Sequence, residues 1–281
     1  MYEPLKKPNL DSTVVSTNGV RFGITHQKSL RRHDDPNADS LHIHEYLEIV
    51  FNISGDVSFM VGDRLLPIRH GDAVVSRKGE VHMCIYNKKS VHEHFCLWID
   101  ADENSELFEF LDSGGAPHSP LFTFDEATNE KLFDLLLRLD ASCKSEGSSL
   151  ERSAYLLSIL SLMRKSEGSS AGETQLPEEL KIILDQINES FTQIQRLADI
   201  EGAKFISPAT LNRWFRKYIH LSPKEYIESK KLSYAANLLT SGKSVTESCI
   251  LSGFSDCSHF IILFKKKFGE TPLRYKKHYG G

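Results

Sequence analysis

The chain has 281 residues, 40% of them hydrophobic and 26% charged, and a formal net charge of −4. That length exceeds the usual domain of about 100–150 residues and the apolar content suffices for two cores, while the acidic balance of the whole argues against a chain that is nucleic-acid-binding throughout. Five cysteines, Cys84, Cys96, Cys143, Cys249 and Cys257, form an odd set with no paired spacing or CxxC, which argues against disulfides and zinc clusters and for a reducing cytoplasm. Neither a signal peptide nor a membrane-spanning run is read.

After an N-terminal arm, residues 1–12, the stretch from about Thr13 to Ile99 is a succession of β-rich runs, YLEIVFNI, DVSFMV, DRLLPI, DAVVS and HFCLWI, separated by Gly-Asp or Gly-Glu turns. Several short strands at this spacing predict a sandwich or barrel over residues 13–100. Within it, HIHEYLEIVFNISG carries His42, His44, Glu48 and Gly55, and GDAVVSRKGEVHMCIYN carries Gly71, Gly79, His82 and Asn87. Side chains two and four residues apart share a strand face, so His42, His44 and Glu48 point one way, and His82 meets them from a facing strand. Three imidazoles and a carboxylate suit a divalent transition metal such as iron, manganese, nickel or zinc. The competing reading has the same histidines hydrogen-bonded to the barrel wall or to an effector, with Glu48 accepting a buried pair. Trp98 is core or a platform for a ligand ring. His92 and His94 alternate onto one face but read as ordinary strand residues, and His70 reads as exposed. These two segments resemble the paired cupin motifs over about Leu41 to Asn87, with Arg77 where the pattern carries Pro and no glycine ahead of His42.

Residues 101–165 hold two amphipathic helices, with Leu132, Phe133, Leu136 and Leu139 on one and Tyr155, Leu156, Ile159, Leu160 and Met163 on the other. They cap the barrel or offer a leucine face for self-association. SEGSSAGETQLP, through residues 166–176, reads as a flexible linker.

The remainder, 177–281, is basic, with 16 Lys/Arg against 11 Asp/Glu, and 14 against 5 from Lys204 onward. In SVTESCILSGFSDCSHFIILFKKKFGETPLRY, Ser244 caps a helix that stops at Gly253, and Ser255 or Asp256 caps a second that ends at Gly269. Phe260, Leu263, Phe264 and Phe268 stack on the inner face of that second helix, leaving Ser258, Ile262 and Lys265 outside. Upstream, SPATLNRWFRKYIHLSP repeats the pattern 49 residues earlier, with Ser207 and Pro208 starting the helix, Leu211, Trp214, Phe215 and Ile219 inside, and Ala209, Arg213 and Arg216 outside. A helix from Pro223 to Gly242 joins the copies.

The strings SPATLNRWF, KLSYAANLL, LSGFSDCSHF and FKKKFGETPLRY resemble the DNA-binding domain of the AraC/XylS transcription regulators. The resemblance implies an α+β multidomain chain: an N-terminal cupin-like β-barrel with connecting helices, then an all-α double helix-turn-helix domain. Its recognition helices would enter successive major grooves about 34 Å apart. The expected DNA contacts are Ser207, Ala209, Asn212, Arg213, Arg216 and Lys217 from the first unit, and Cys257, Ser258, His259, Ile262, Lys265 and Lys266 from the second. Ile262 stands where the family often carries a polar reader and can only touch a thymine methyl, so Asn212 and Arg213 carry more of the base reading. Arg213 suits guanine or a phosphate equally; Arg216, Lys217, Lys265 and Lys266 suit phosphates. The helix ahead of the first recognition helix, QIQRLADIEGAKFISP, has a long turn.

The expected protein is therefore a cytoplasmic, dimeric regulator that binds double-stranded DNA. A small molecule, with carbohydrate one candidate, acts through His42, His44, Glu48, His82 and Trp98, and a divalent metal is the candidate cofactor. The alternative is a metal-dependent cupin enzyme, an oxygenase or isomerase, with a basic helical appendage.

Overall fold

The computed structural model describes residues 20–31, 41–44, 46–100, 120–145, 148–166 and 174–279. The arm at 1–12 lies outside the described residues.

Among the described residues, eight strands build the first half: β1 (Arg21–Arg31), β2 (Leu47–Ser54), β3 (Val57–Val61), β4 (Arg64–Ile68), β5 (Ala73–Ser76), β6 (His82–Tyr86), β7 (Ser90–Asp100) and β8 (Leu121–Phe122). They form a five-stranded sheet, β1-β7-β2-β5-β8, facing a three-stranded one, β4-β3-β6. All pairings are antiparallel, and the longest runs from Arg21 opposite Asp100 to Arg31 opposite Ser90. The β3–β4 turn is only Gly62 and Asp63, and Gly62 takes φ 60°, a left-handed conformation that glycine adopts without Cβ strain.

Alternation along the strands sorts their side chains. Phe95, Leu97 and Ile99 of β7 join Ile49, Phe51 and Val75 on the outer face of the large sheet, where Leu132, Leu136, Leu139, Leu156, Ile159, Leu160 and Met163 cover them. Those residues belong to α1 (Glu126–Lys144) and α2 (Ser149–Lys165), capped by Asp125 and Ser148. The helices thus cap the sheet, as one of the two readings had it. On the opposite face Cys96 and Trp98 join Val50, Val74, Phe59 and Cys84 between the sheets.

The outer face of the small sheet has another cover. Met60, Leu65, Met83 and Ile85, with Leu41 and Val81, share one apolar cluster with Leu180, Ile183, Leu184 and Ile187 of α3 (Glu178–Ser190), and with Leu211, Phe215, Ile219, Tyr226 and Ile227 beyond it. The two halves of the chain therefore have a core in common. The end of the segment expected to be a flexible linker is drawn into this joint: the Thr174 amide donates to the Leu65 carbonyl at 2.8 Å, and Leu176 is buried. An apolar side chain and a satisfied amide hold it where Ser and Gly content alone suggested freedom.

The C-terminal half continues with α4 (Pro208–Tyr218), α5 (Pro223–Thr240), α6 (Val245–Leu251), α7 (Cys257–Phe268) and α8 (Pro272–Tyr279). Ser207 caps α4 and Asp256 caps α7, keeping the offset of the sequence repeat. Capping boxes Ser222/Glu225 and Ser244/Glu247 start α5 and α6. Phe215, Phe260 and Phe264 are buried as expected. The helix expected ahead of α4 is instead two short 3₁₀ turns, Leu197–Asp199 and Glu201–Phe205. Asp199 accepts from the Gln195 and Arg196 amides, offering the backbone a non-helical alternative, and Gly202 presses its bare Cα against Ile183 and Gln186.

Leu97 is fully buried under α1 and α2, whereas Leu150 is 81% exposed. Leu97→Ala is expected to cost about 2–5 kcal/mol in denaturant unfolding and Leu150→Ala less than about 0.5 kcal/mol. Equal costs would contradict this layering.

Candidate functional site

Four side chains meet between the sheets. His42 and His44 come from the short segment before β2, Glu48 from β2 and His82 from the start of β6; one potential ligand atom of each lies within 4.8 Å of the others. His44, Glu48 and His82 are buried and His42 partly so. The expectation that these residues converge is thus met in geometry. Trp98 approaches as well, but not as a ring platform: its indole N–H donates to Glu48 Oε2 at 2.7 Å and orients that carboxylate.

Backbone carbonyls decide which imidazole nitrogens face the centre. His44 Nδ1 donates to Tyr46 O at 2.8 Å, and His82 Nδ1 to Glu80 O at 2.9 Å. A carbonyl can only accept, so each Nδ1 carries hydrogen and a neutral ring turns the Nε2 lone pair inward. Those Nε2 atoms stand 3.3 and 3.4 Å from the two Glu48 oxygens. Lone pairs facing a buried carboxylate repel it unless a cation intervenes, either a proton or a metal ion. Burial opposes ionisation of Glu48, yet its contacts with His44 and His82 outweigh burial and hold its pKa well below the usual range. Burial likewise opposes charge on both rings; Glu48 overcomes it at His82, whose pKa is raised, but not at His44, whose pKa is lowered.

Beside this cluster lies a cavity of about 40 Å³, lined in part by Gln27, His42, Glu48, Phe59, His92, His94 and Trp98. His92 and His94, expected as ordinary strand residues, are buried and stack with ring centroids 4.5 Å apart. Their even spacing with Trp98 along β7 is the signal that places them inside. His70 is exposed as expected, its Nδ1 donating to Ile53 O.

The second candidate surface is helical. Ser207, Ala209, Asn212, Arg213, Arg216 and Lys217 are exposed around α4, and Ser258, His259, Ile262, Lys265 and Lys266 on α7. Two have other duties, since Ser207 accepts the Thr210 amide as N-cap and Arg216 pairs with Glu225 at 2.9 Å, while Ile262, 66% exposed, offers only an apolar contact. Cys257 departs from expectation, being half-buried and bonded to Cys249 with Cα atoms 5.9 Å apart. That disulfide corrects the sequence reading; the turn between α6 and α7 brings together cysteines whose spacing matched no pairing pattern. The turn needs Gly253, with φ 84°, because a Cβ there would collide with the Thr192 carbonyl.

The charge count also needs correction, since some lysines point inward. Lys230 Nζ donates to Asn188 Oδ1 at 2.5 Å, with burial pushing its pKa down to about 7. Lys231 Nζ donates to Ile194 O at 2.6 Å and Gly253 O at 2.8 Å, tying the two helix-turn-helix units together. Lys267, Ser233 and Asn237 reach across to the β domain. No sequence signal separates these from the surface lysines except position on the inner arc of each helix.

Burial first, then the charges of His94 and Arg31, push His92 down to about pKa 3. The unfolded chain takes up this proton below about pH 6.5 and the folded chain only near 3, so the contribution is complete above 6.5 and drains away as pH falls towards 3. The expected slope is up to about 1.4 kcal/mol per pH unit. Chemical denaturation at pH 7 and pH 5 is expected to show a smaller loss in His92→Phe than in the parent; an identical loss would remove His92 from this role.

Two family models match the chain. The family described as "AraC-like ligand binding domain" matches residues 29–160, and the one described as "Helix-turn-helix domain" matches residues 203–278. The HTH-type transcriptional activator RhaR of Mannheimia succiniciproducens is 26% identical over 255 residues, spanning 89% of this chain and 91% of that protein. The uncharacterized HTH-type transcriptional regulator YdeC of Bacillus subtilis is 23% identical over 253 residues, spanning 84% and 86%. The structure of ToxT from Vibrio cholerae O395 aligns with 94% of this chain and 100% of its own, at a TM-score of 0.42 and 15% identity. With a ligand-binding β domain matched ahead of a double helix-turn-helix, this chain belongs to the AraC family of DNA-binding transcription regulators.

Proposed function

We propose that this regulator acts as a cytoplasmic homodimer whose effector is a divalent transition metal ion held by His42, His44, Glu48 and His82. The observation that carries the metal is the pair of Nδ1–H to carbonyl hydrogen bonds, which turns two lone pairs toward one buried carboxylate. When bound, the ion supplies the positive charge this donor set requires. Trp98 would hold Glu48 in place, and the Tyr46 and Glu80 carbonyls would hold the rings. The adjoining cavity, about 40 Å³, is of a size for water or an ion, whereas sites for drug-sized molecules span about 300–1,000 Å³, so a carbohydrate fits poorly.

On DNA, Asn212 and Arg213 of α4 would read base edges, with Ser258, His259 and Ile262 of α7 secondary. Lys217, Lys265 and Lys266 would hold phosphates, and Arg216 would do so only in competition with Glu225. Leu137 and Leu157, exposed on α1 and α2, support those helices as the dimer contact. No helix among the described residues is long and apolar enough to cross a membrane.

For DNA, the expected result is tighter binding to a genomic promoter fragment recovered by the protein than to random DNA, weakening steeply with salt. Arg213→Ala is expected to cost about 1–3 kcal/mol at one base position, and Lys265→Ala to weaken all sequences alike. Equal affinity for promoter and random DNA would overturn sequence-specific reading; a uniform loss in Arg213→Ala would make it a phosphate contact.

For the metal, the full chain is dialysed against manganese(II), iron(II), nickel(II) or zinc(II) and its content measured. About one ion per chain is expected in the parent, none in His44→Ala or Glu48→Gln, with a parallel change in thermal midpoint. Retention by both variants, or by no protein at all, would overturn the metal reading.

A further inference from the structure

The four residues Leu41 to His44 are engaged on both edges and both faces. On one edge His42 exchanges backbone hydrogen bonds with His82, at 3.0 and 3.1 Å. On the other edge the partners come from the DNA-binding half. The Leu41 carbonyl accepts from the Ser233 hydroxyl at 3.0 Å and the Lys267 ammonium at 2.7 Å; the Ile43 carbonyl accepts from the Asn237 amide at 3.1 Å.

The match is one of pitch. Carbonyls two residues apart on a strand are about 6.6 Å apart, and side chains four apart on a helix rise about 6 Å, so Ser233 and Asn237 of α5 can follow Leu41 and Ile43 in step. Lys267 arrives from α7, the second recognition helix, and its ammonium also donates to Ser229 O and Ser233 Oγ, both at 3.0 Å. The side chains divide in the same way. His42 and His44 belong to the ligand cluster, while Leu41, fully buried, and Ile43 pack into the apolar core common to both halves.

We propose that Leu41–His44 is an interdomain latch through which occupancy of the His42/His44/Glu48/His82 cluster is read by α5 and α7, by way of Ser233, Asn237 and Lys267. The proposal rests on the metal reading above. Drawing His42 and His44 toward Glu48 displaces the Leu41 and Ile43 carbonyls in the same backbone. Those carbonyls anchor the helix that joins the two reading units and the helix that forms one of them. Their movement therefore alters how α7 is presented relative to α4. Burial pushes Lys267 down to about pKa 7, consistent with an ammonium enclosed at this joint. The ion must bind one arrangement of the latch more tightly than the other, and then DNA must change ion affinity by the same factor as the ion changes DNA affinity.

That reciprocity is the test. The full chain is titrated with the ion it retains after dialysis, with and without a promoter fragment selected by the parent from random DNA, and DNA affinity is measured with and without the ion. The parent is expected to show equal coupling in both directions, about 5–150-fold. The double variant Ser233→Ala/Asn237→Ala, and separately Lys267→Met, are expected to keep ion content and DNA binding while coupling falls to less than about twofold. Undiminished coupling in both variants overturns the latch, as does a parent that binds ion and DNA independently. A parent that retains no ion fails at the earlier step, and the latch falls with the metal reading. If Lys267→Met does not fold, the α5 double variant decides alone.

Discussion

A β-strand must send successive side chains to opposite faces, and most of this molecule follows from applying that rule to sheets buried on both sides. In β7 the rule sends Phe95, Leu97 and Ile99 to the helical cover and His92, His94 and Trp98 to the interior. In Leu41–His44 it sends two imidazoles toward Glu48 and two aliphatic side chains toward the DNA-binding half. Neither sheet can stand alone, because each has two apolar faces. The large one is completed by α1 and α2, the small one by α3 to α5.

Several charged groups drawn into this architecture are compensated by specific partners. An isolated buried ion costs several kcal/mol, so its retention depends on partners that cannot be removed singly. Glu48 has Trp98 and two imidazoles; Lys230 has Asn188; Lys231 and Lys267 have backbone carbonyls. The carbonyl partners of the two latter lysines come from different segments of the chain. Polar groups therefore fix how the helix-turn-helix units sit against each other and against the sensor, while the apolar clusters supply the cohesion between them.

The helix-turn-helix units were legible because their determinants are local. Caps at Ser207 and Asp256, proline at the first helical position, and aromatic residues every three or four positions are written within one helix each, and the 49-residue repeat doubles the signal. The unit's first element was less legible: QIQRLADIEGAKF has apolar spacing, but Asp199 and Gly202 divert it into 3₁₀ turns through contacts with neighbouring backbone and α3. The Cys249–Cys257 bond escaped for a related reason, since eight residues of separation say nothing until the turn at Gly253 folds them together. His92 and His94 carried the correct alternation, yet alternation names a face without saying which face is the interior.

Taken by itself, the sequence determined the order of the domains and the two reading helices, because each depends on local spacing, and it named His42, His44, Glu48 and His82 as donors from the alternation of side chains along extended chain. Only the tertiary structure decided which nitrogen each of His44 and His82 turns inward, and that the segment bearing His42 and His44 is bonded to Ser233, Asn237 and Lys267. Those are contacts across as many as 226 residues of chain, and no local periodicity encodes a partner at that distance.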